Sequence, residues 1–126
     1  MANPSVACRR ALADATRLCP KRSRISDGIV GDARHSKRKS DHNDGNAFDL
    51  THDPENGVDC NFFAKLALLD YRVKYVIWNR KIYNTDMPAA GWRLYSGAPH
   101  DHHMHVSIKA AYRNVAIGWP WASLES

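Results

Sequence analysis

Cysteine is scarce in this sequence, with three residues among 126. Cys8, Cys19 and Cys60 contain no C-x-x-C pair and cannot all pair with one another, so the sequence predicts no disulfide framework. A chain of this kind is expected to fold in a reducing compartment. A bridge between Cys8 and Cys19 is the alternative that the odd count leaves open.

Long apolar runs are also missing, because no stretch approaches the roughly 20 apolar residues of a membrane span. The N-terminal segment MANPSVACRRALADATRLCPKRSR lacks the basic-then-apolar order of a signal peptide. The sequence has no internal repeat and no low-complexity segment. We therefore expect a single domain over residues 1–126, monomeric and without a membrane span.

Acidic residues are fewer than basic ones, since 13 Asp and Glu against 18 Lys and Arg give a net charge of +5 at pH 7. This charge favours an anionic partner such as nucleic acid, a membrane surface or a wall polymer. The runs KRSR and RHSKRK make a nucleic-acid-binding domain one alternative. No recognised binding motif accompanies them, so we expect no nucleic-acid partner.

The spacing of apolar residues predicts an α+β fold, with a small antiparallel sheet flanked by two or three helices. Helices are predicted over residues 5–18 and in DCNFFAKLALLDYRV, where Asp59 would be the N-cap. Strands are predicted in NAFDLT, KYVIWNRKIYN, GWRLYS and HMHVSIK. Asn79 and Arg80 would turn the second of these strands into a hairpin.

The seven histidines are unevenly distributed, and four of them lie in HDHHMH at 100–105. If HMHVSI is a strand, His103 and His105 point to one face and Met104 and Val106 point into the core. His100 is expected to be solvated. A histidine on a strand is more often structural or exposed than a metal ligand, and a histidine-rich tract can be accidental.

A second segment, SDHNDGNAFD at 40–49, can supply ligands to the same point. Asp49 would lie on a strand beside HMHVSI, and Gly45 would let the chain fold back and return His42 toward it. Imidazole nitrogens and a carboxylate oxygen that converge in this way suit a catalytic zinc ion, which needs three protein ligands and one open position. His52 would lie on the opposite strand face.

SDHNDGNAFD fills every fixed position of the pattern S-x-H-x-x-G-x-A-x-D. It resembles the signature of zinc peptidases in the lysostaphin, D-Ala-D-Ala carboxypeptidase and hedgehog group. HMH at 103–105 resembles the second motif of that group, H-x-H, in the expected order. The chain most resembles the D-alanyl-D-alanine carboxypeptidase-like branch, which includes phage endolysins, and the likeness covers residues 22–110.

The resemblance implies a role for each matching residue. His42, Asp49 and His105 would bind Zn²⁺, and His103 would lie beside the metal, where it steadies the transition state or transfers a proton. A basic residue upstream of the first motif binds a substrate carboxylate in relatives. The resemblance assigns that role to Arg38 as the first choice and to Arg34 as the second.

The chain departs from the family pattern at the general base. Three residues before His105, where many relatives have an acid, the chain has His102. Asp101 is one position further away and is the only carboxylate in GAPHDHHMH. We therefore predict Asp101 as the general base, with His103 or His102 as the alternatives.

The function that the resemblance implies is that of a zinc-dependent peptidase that cleaves the stem peptides of bacterial cell-wall peptidoglycan. The lack of a signal peptide suggests a phage endolysin that is made in the host cytoplasm and acts at the cell wall, where the +5 charge would favour retention. Two alternatives stay open at this point. One is a bacterial D,D- or L,D-carboxypeptidase, and the other is a non-catalytic zinc-binding module of the same fold.

Overall fold

The computed structural model describes residues 3–29 and 41–124. Two α-helices and five β-strands make up its regular structure, together with four short 3-10 helices. This architecture confirms the predicted α+β class. None of the helices in the described ranges is both long and apolar enough to cross a membrane. The elements are α1 (Val6–Leu18), β1 (Ala47–Thr51), α2 (Cys60–Ala67), β2 (Val73–Trp78), β3 (Lys81–Asn84), β4 (Arg93–Leu94) and β5 (His103–Ile108).

The five strands form one sheet in the order β1-β5-β2-β3-β4, and every neighbouring pair is antiparallel. The predicted hairpin is confirmed, because β2 and β3 are joined by Asn79 and Arg80 with φ of 50° and 68°. Positive φ at both central residues is the requirement of the tight turn whose twist matches that of the strands. The last strand, β5, lies between β1 and β2, so its histidines sit well inside the sheet.

Helix α1 begins where the side chain of Ser5 accepts a hydrogen bond from the Cys8 amide at 3.1 Å. That bond satisfies one of the backbone donors that a helix start leaves without an intrahelical partner. Ala7, Ala11 and Ala15 recur at helical spacing and are fully buried. The helix therefore packs its small-residue stripe against the sheet and the C-terminal segment.

The core lies on one face of the sheet, between the strands, the two helices and the C-terminal segment. Alternate residues of β1 and β5 point into it, and their side chains have no solvent exposure. The Trp-Pro-Trp segment closes this core, since Trp119 and Trp121 are buried and donate their indole N–H groups to α1 carbonyls at 2.9 Å. The strand residues of the core are Phe48, Leu50, Met104 and Val106.

All three cysteines are buried free thiols. Burial raises the pKa of Cys8 to about 11 and the pKa of Cys60 to about 12, so neither thiol ionises readily. Cys8 lies near the start of α1 and Cys19 at its end, which puts their Cα atoms about 16 Å apart at 1.5 Å per residue. A disulfide needs a Cα separation below about 7 Å, so the alternative of a Cys8–Cys19 bridge is wrong.

Candidate metal centre

The face of the sheet opposite the core carries the polar residues of β1 and β5. Asp49 pairs directly with His105 across the two strands, and His103 pairs with Thr51 two residues along. Directly paired residues of antiparallel strands share a face, as do residues two apart in one strand. The sequence-based prediction that His103, His105 and Asp49 share one face is therefore confirmed.

His42 reaches this face from a turn that precedes β1. The Gly45 amide donates to the His42 carbonyl at 3.0 Å, and Gly45 has a left-handed φ of 72°. A Cβ atom on Gly45 would also collide with the backbone carbonyl of Asn3. Glycine is required here both by the backbone conformation and by the close approach of the N-terminal segment.

Three ligand atoms from these two segments meet at one point. His42 Nε2 lies 3.2 Å from Asp49 Oδ1 and 3.1 Å from His105 Nδ1, and His105 Nδ1 lies 3.4 Å from the same carboxylate oxygen. Both imidazoles are buried, and Asp49 is half-buried. The group could hold a metal ion, as the sequence predicted for these three residues.

The outer nitrogen of each ring has a partner that orients it. His42 Nδ1 donates to the Ile29 carbonyl at 2.7 Å, and a carbonyl can only accept, so the neutral ring presents an unprotonated Nε2 to the centre. His105 Nε2 lies 2.8 Å from the Ser107 hydroxyl, which leaves Nδ1 toward the centre. Partners of this kind fix the tautomer and ring orientation of metal-ligating histidines.

The electrostatics of the centre favour the protonation states that metal ligands need at Asp49 and His105, but not at His42. Burial alone would raise the pKa of Asp49, but hydrogen bonds and charges from His105 and His42 outweigh burial and hold it well below its usual range. Burial lowers the pKa of His105 despite the nearby carboxylate. Burial opposes protonation of His42 too, yet the hydrogen bond and charge of Asp49 raise its pKa. An ionised carboxylate beside a neutral imidazole is ready to bind a cation.

Sequence reasoning missed the loop that supports this centre. The Asp49 amide donates to the Gly28 carbonyl at 2.8 Å, so residues 28 and 49 form a bridge along the edge of β1. Asp27 accepts hydrogen bonds from the amide and hydroxyl of Thr51 at 3.0 and 2.7 Å, and its other oxygen pairs with Arg22 at 2.7 Å. Arg22 is buried and serves the fold here, whereas its run KRSR had suggested an anion-binding surface.

His103 lies beside the three candidate ligands, as predicted. Its Nε2 is 3.7 Å from the second carboxylate oxygen of Asp49. Its Nδ1 is buried and has no hydrogen-bond partner among the described residues. Burial lowers the pKa of His103, so the ring is neutral near pH 7.

His100, which was expected to be solvated, is only partly exposed and contacts two histidines of this face. Its ring centre lies 5.1 Å from that of His103 and 5.7 Å from that of His105, and the residue is half-buried. The backbone of His100 has a left-handed φ of 50°, and its Nδ1 bonds to the Ala98 carbonyl at 2.8 Å. The left-handed backbone of His100 turns its imidazole toward the centre. Strained backbone conformations of this kind cluster at functional sites.

Asp101, the predicted general base, lies on the exposed side of this segment. Its carboxylate is 3.6 Å from His102 Nε2, and the His102 side chain is 88% exposed. Within residues 3–29 and 41–124, Asp101 forms no ion pair with the three candidate ligands. Arg38 and Arg34, the predicted substrate-binding residues, lie outside the described residues.

One further side chain lies against the candidate ligands on this face of the sheet. Tyr75 stacks on the His105 ring, with the ring centres 5.4 Å apart and the planes 17° from parallel. The alternation of β2 could have indicated this contact, because Tyr75 pairs with Ser107, two residues from His105. His52 lies on the other face, where it packs on Trp78 and accepts from the Cys60 amide, as expected.

Comparison with known proteins gives one family and no individual relative. A family model described as "VldE, C-terminal domain" matches residues 7–106. No curated protein and no solved structure matches the chain significantly. The matched range runs from α1 into β5 and contains both segments of the candidate metal centre.

Proposed function

The chain belongs to the VldE C-terminal domain family, and for this member we propose the function of a zinc-dependent peptidase that hydrolyses peptide bonds of bacterial peptidoglycan. The observation that carries the proposal is the convergence of His42, Asp49 and His105 within 3.4 Å of one another. Substrate class and reaction come from the resemblance of the two motifs to zinc peptidases that act on cell walls.

The size of the ligand triangle supports zinc as the metal. Ligands at about 2.0–2.2 Å from a tetrahedral zinc ion lie about 3.3–3.6 Å from one another. The separations of 3.1, 3.2 and 3.4 Å are within a few tenths of an ångström of that range. Two imidazoles and one carboxylate also match the catalytic class of zinc sites, which keeps a fourth position open, better than the structural class with four protein ligands.

A bound zinc ion would supply a water molecule of lowered pKa and would polarise the scissile carbonyl. The protein residues would orient the ligands, stabilise the oxyanion and accept the proton of the water. The Ile29 carbonyl and Ser107 hold the two imidazoles in their ligating orientation. His103, beside the second oxygen of Asp49, is placed to donate a hydrogen bond to the oxyanion that develops on the substrate. Asp101 is the predicted acceptor of the water proton.

The test of the proposed function uses zinc-loaded protein and purified peptidoglycan of several chemotypes. We expect new amino groups to appear, and mass spectrometry of the released fragments identifies the bond that is cut. Release of a single terminal residue would assign the carboxypeptidase alternative, and cleavage within the cross-linked peptide would assign the endolysin. Zinc-loaded protein that releases nothing from any chemotype contradicts the proposal.

A non-catalytic zinc-binding module is the second candidate, and one observation favours it. The sole carboxylate near the second motif, on Asp101, pairs with the exposed His102. Such a module would bind zinc and wall fragments without producing new amino groups. Co-sedimentation with peptidoglycan, measured beside the release of amino groups, separates this candidate from the peptidase.

Removal of the metal is expected to lower the melting temperature without unfolding the chain. A metal that binds only the folded state stabilises it by about 2.7 kcal/mol when free metal is 100-fold above its dissociation constant. The core lies on the opposite face of the sheet, so it does not depend on the centre. Thermal melts followed by circular dichroism, with and without a chelator, check this expectation. Complete unfolding on chelation would show that the core does depend on the metal.

A further inference from the structure

The face of the sheet that carries the metal centre continues past it to the far edge. Asp49 is the first of a row of five residues, one from each strand, in which each residue pairs directly with the next. Directly paired residues of antiparallel strands project to the same face. The row therefore joins the metal centre to β4 on one surface, in the order Asp49, His105, Ile77, Ile82 and Arg93.

A hydrogen bond confirms the placement of Arg93 on this face. Its Nη2 donates to Asn84 Oδ1 at 3.1 Å, and Asn84 pairs with Tyr75, which stacks on His105. Asn84 therefore belongs to the neighbouring row of the same face. The amide orients the guanidinium without neutralising it, because it is uncharged. Arg93 is exposed and forms no ion pair with an acidic residue in the described parts of the chain.

The surface between the centre and Arg93 is apolar. Ile77 and Ile82 fill the two intervening positions of the row, and the next row contributes the ring of Tyr75. Ile77 is only 4% exposed, so the accessible apolar surface comes from Ile82 and Tyr75, which are half-buried. A floor of this kind accommodates the backbone and aliphatic side chains of a peptide, and a cation at its end selects an anion. Arginine is well suited to that role, since its planar fork of donors matches a carboxylate.

We propose that Arg93 binds a carboxylate of the substrate, so that the peptide lies across the sheet from the metal centre toward β4. The inference rests on the proposed peptidase function and deepens it. Three strand spacings separate β5 from β4, which is about 14 Å at 4.8 Å per step. An extended peptide advances about 3.4 Å per residue, so the recognised carboxylate lies within about four residues of the scissile bond.

Binding of two matched peptides to the zinc-loaded protein tests this assignment. One is a wall stem peptide with free carboxylates, and the other is the same peptide with its carboxylates amidated. Isothermal titration in the cold measures both affinities, and mass spectrometry of the recovered peptide verifies that it stayed intact. We expect the wild type to prefer the free-carboxylate peptide by about tenfold, as for one charge-assisted hydrogen bond at an exposed site.

Arg93→Gln should abolish that preference, and Arg93→Lys should retain part of it, because lysine keeps the charge but not the fork. Lys81→Gln is the matched control. It removes the same charge from an exposed residue of β3 that pairs with Trp78, on the opposite face. Zinc content should be equal in all variants. A preference that survives in Arg93→Gln overturns the inference alone, whereas a wild type that binds neither peptide overturns the proposed function together with it.

Discussion

Under the proposed function the wild type binds one zinc ion per chain, and a His105→Ala variant is expected to lose it. The variant removes one of the three candidate ligands, the ring whose Nδ1 lies 3.1 Å from His42 Nε2 and 3.4 Å from Asp49 Oδ1. Two ligands on one side of an ion leave it exposed to exchange with solvent, since catalytic zinc sites use three. Elemental analysis after dialysis against metal-free buffer measures the change.

His102→Ala is the matched control for that experiment. It deletes an imidazole three residues away whose side chain is 88% exposed and outside the three-residue group. This variant should keep its zinc, which separates loss of a ligand from a general effect of removing histidine. Circular dichroism of both variants checks that the fold is retained. Unchanged zinc content in His105→Ala would remove His105 from the ligand set.

The candidate ligands could be predicted from sequence because strand alternation and the resemblance of two motifs to zinc peptidases both indicate them. Alternation along a strand sets the face of His103 and His105, and one turn with a glycine returns His42 to the start of β1. The register in which β1 pairs with β5 decides whether the ligands meet. Burial of Phe48 and Met104 on the other face selects that register. These rules bring the polar residues to one face, and the choice of His42, Asp49 and His105 as the ligands comes from the resemblance of the two motifs to zinc peptidases.

The residues that sequence reasoning missed depend on contacts between distant segments. His100 turns toward the centre through a left-handed backbone in an irregular segment, which no periodic pattern encodes. Arg22 becomes buried because its loop docks on the edge of β1 through Asp27. Arg93 reaches the same face as the centre only because β4 is the fifth strand of a sheet in which each strand pairs in a defined register. The neighbours of these three residues can be named only when the tertiary structure is known.

Asp101→Asn is expected to keep its zinc and its fold and to lose most of its peptidase activity. General acid–base groups typically contribute roughly 100- to 10,000-fold in rate, and the amide preserves size while removing basicity. Asp101 lies in the sequence between His100 and His103, whose rings contact each other beside the centre. Catalytic hydrogen bonds are often long before substrate binds, so its pairing with His102 is compatible with this role.

The companion variant His103→Gln tests the role of the imidazole that lies beside the candidate ligands. His103 Nε2 lies 3.7 Å from Asp49 Oδ2, beside the candidate metal ligands. Under the proposed function, its loss should weaken oxyanion stabilisation whichever group is the base. Turnover of purified peptidoglycan, normalised to bound zinc, is the measurement for both variants. If Asp101 is the base, both variants lose activity while both retain metal. Near-wild-type turnover in Asp101→Asn would contradict the assignment and transfer the role of base to His103 or His102.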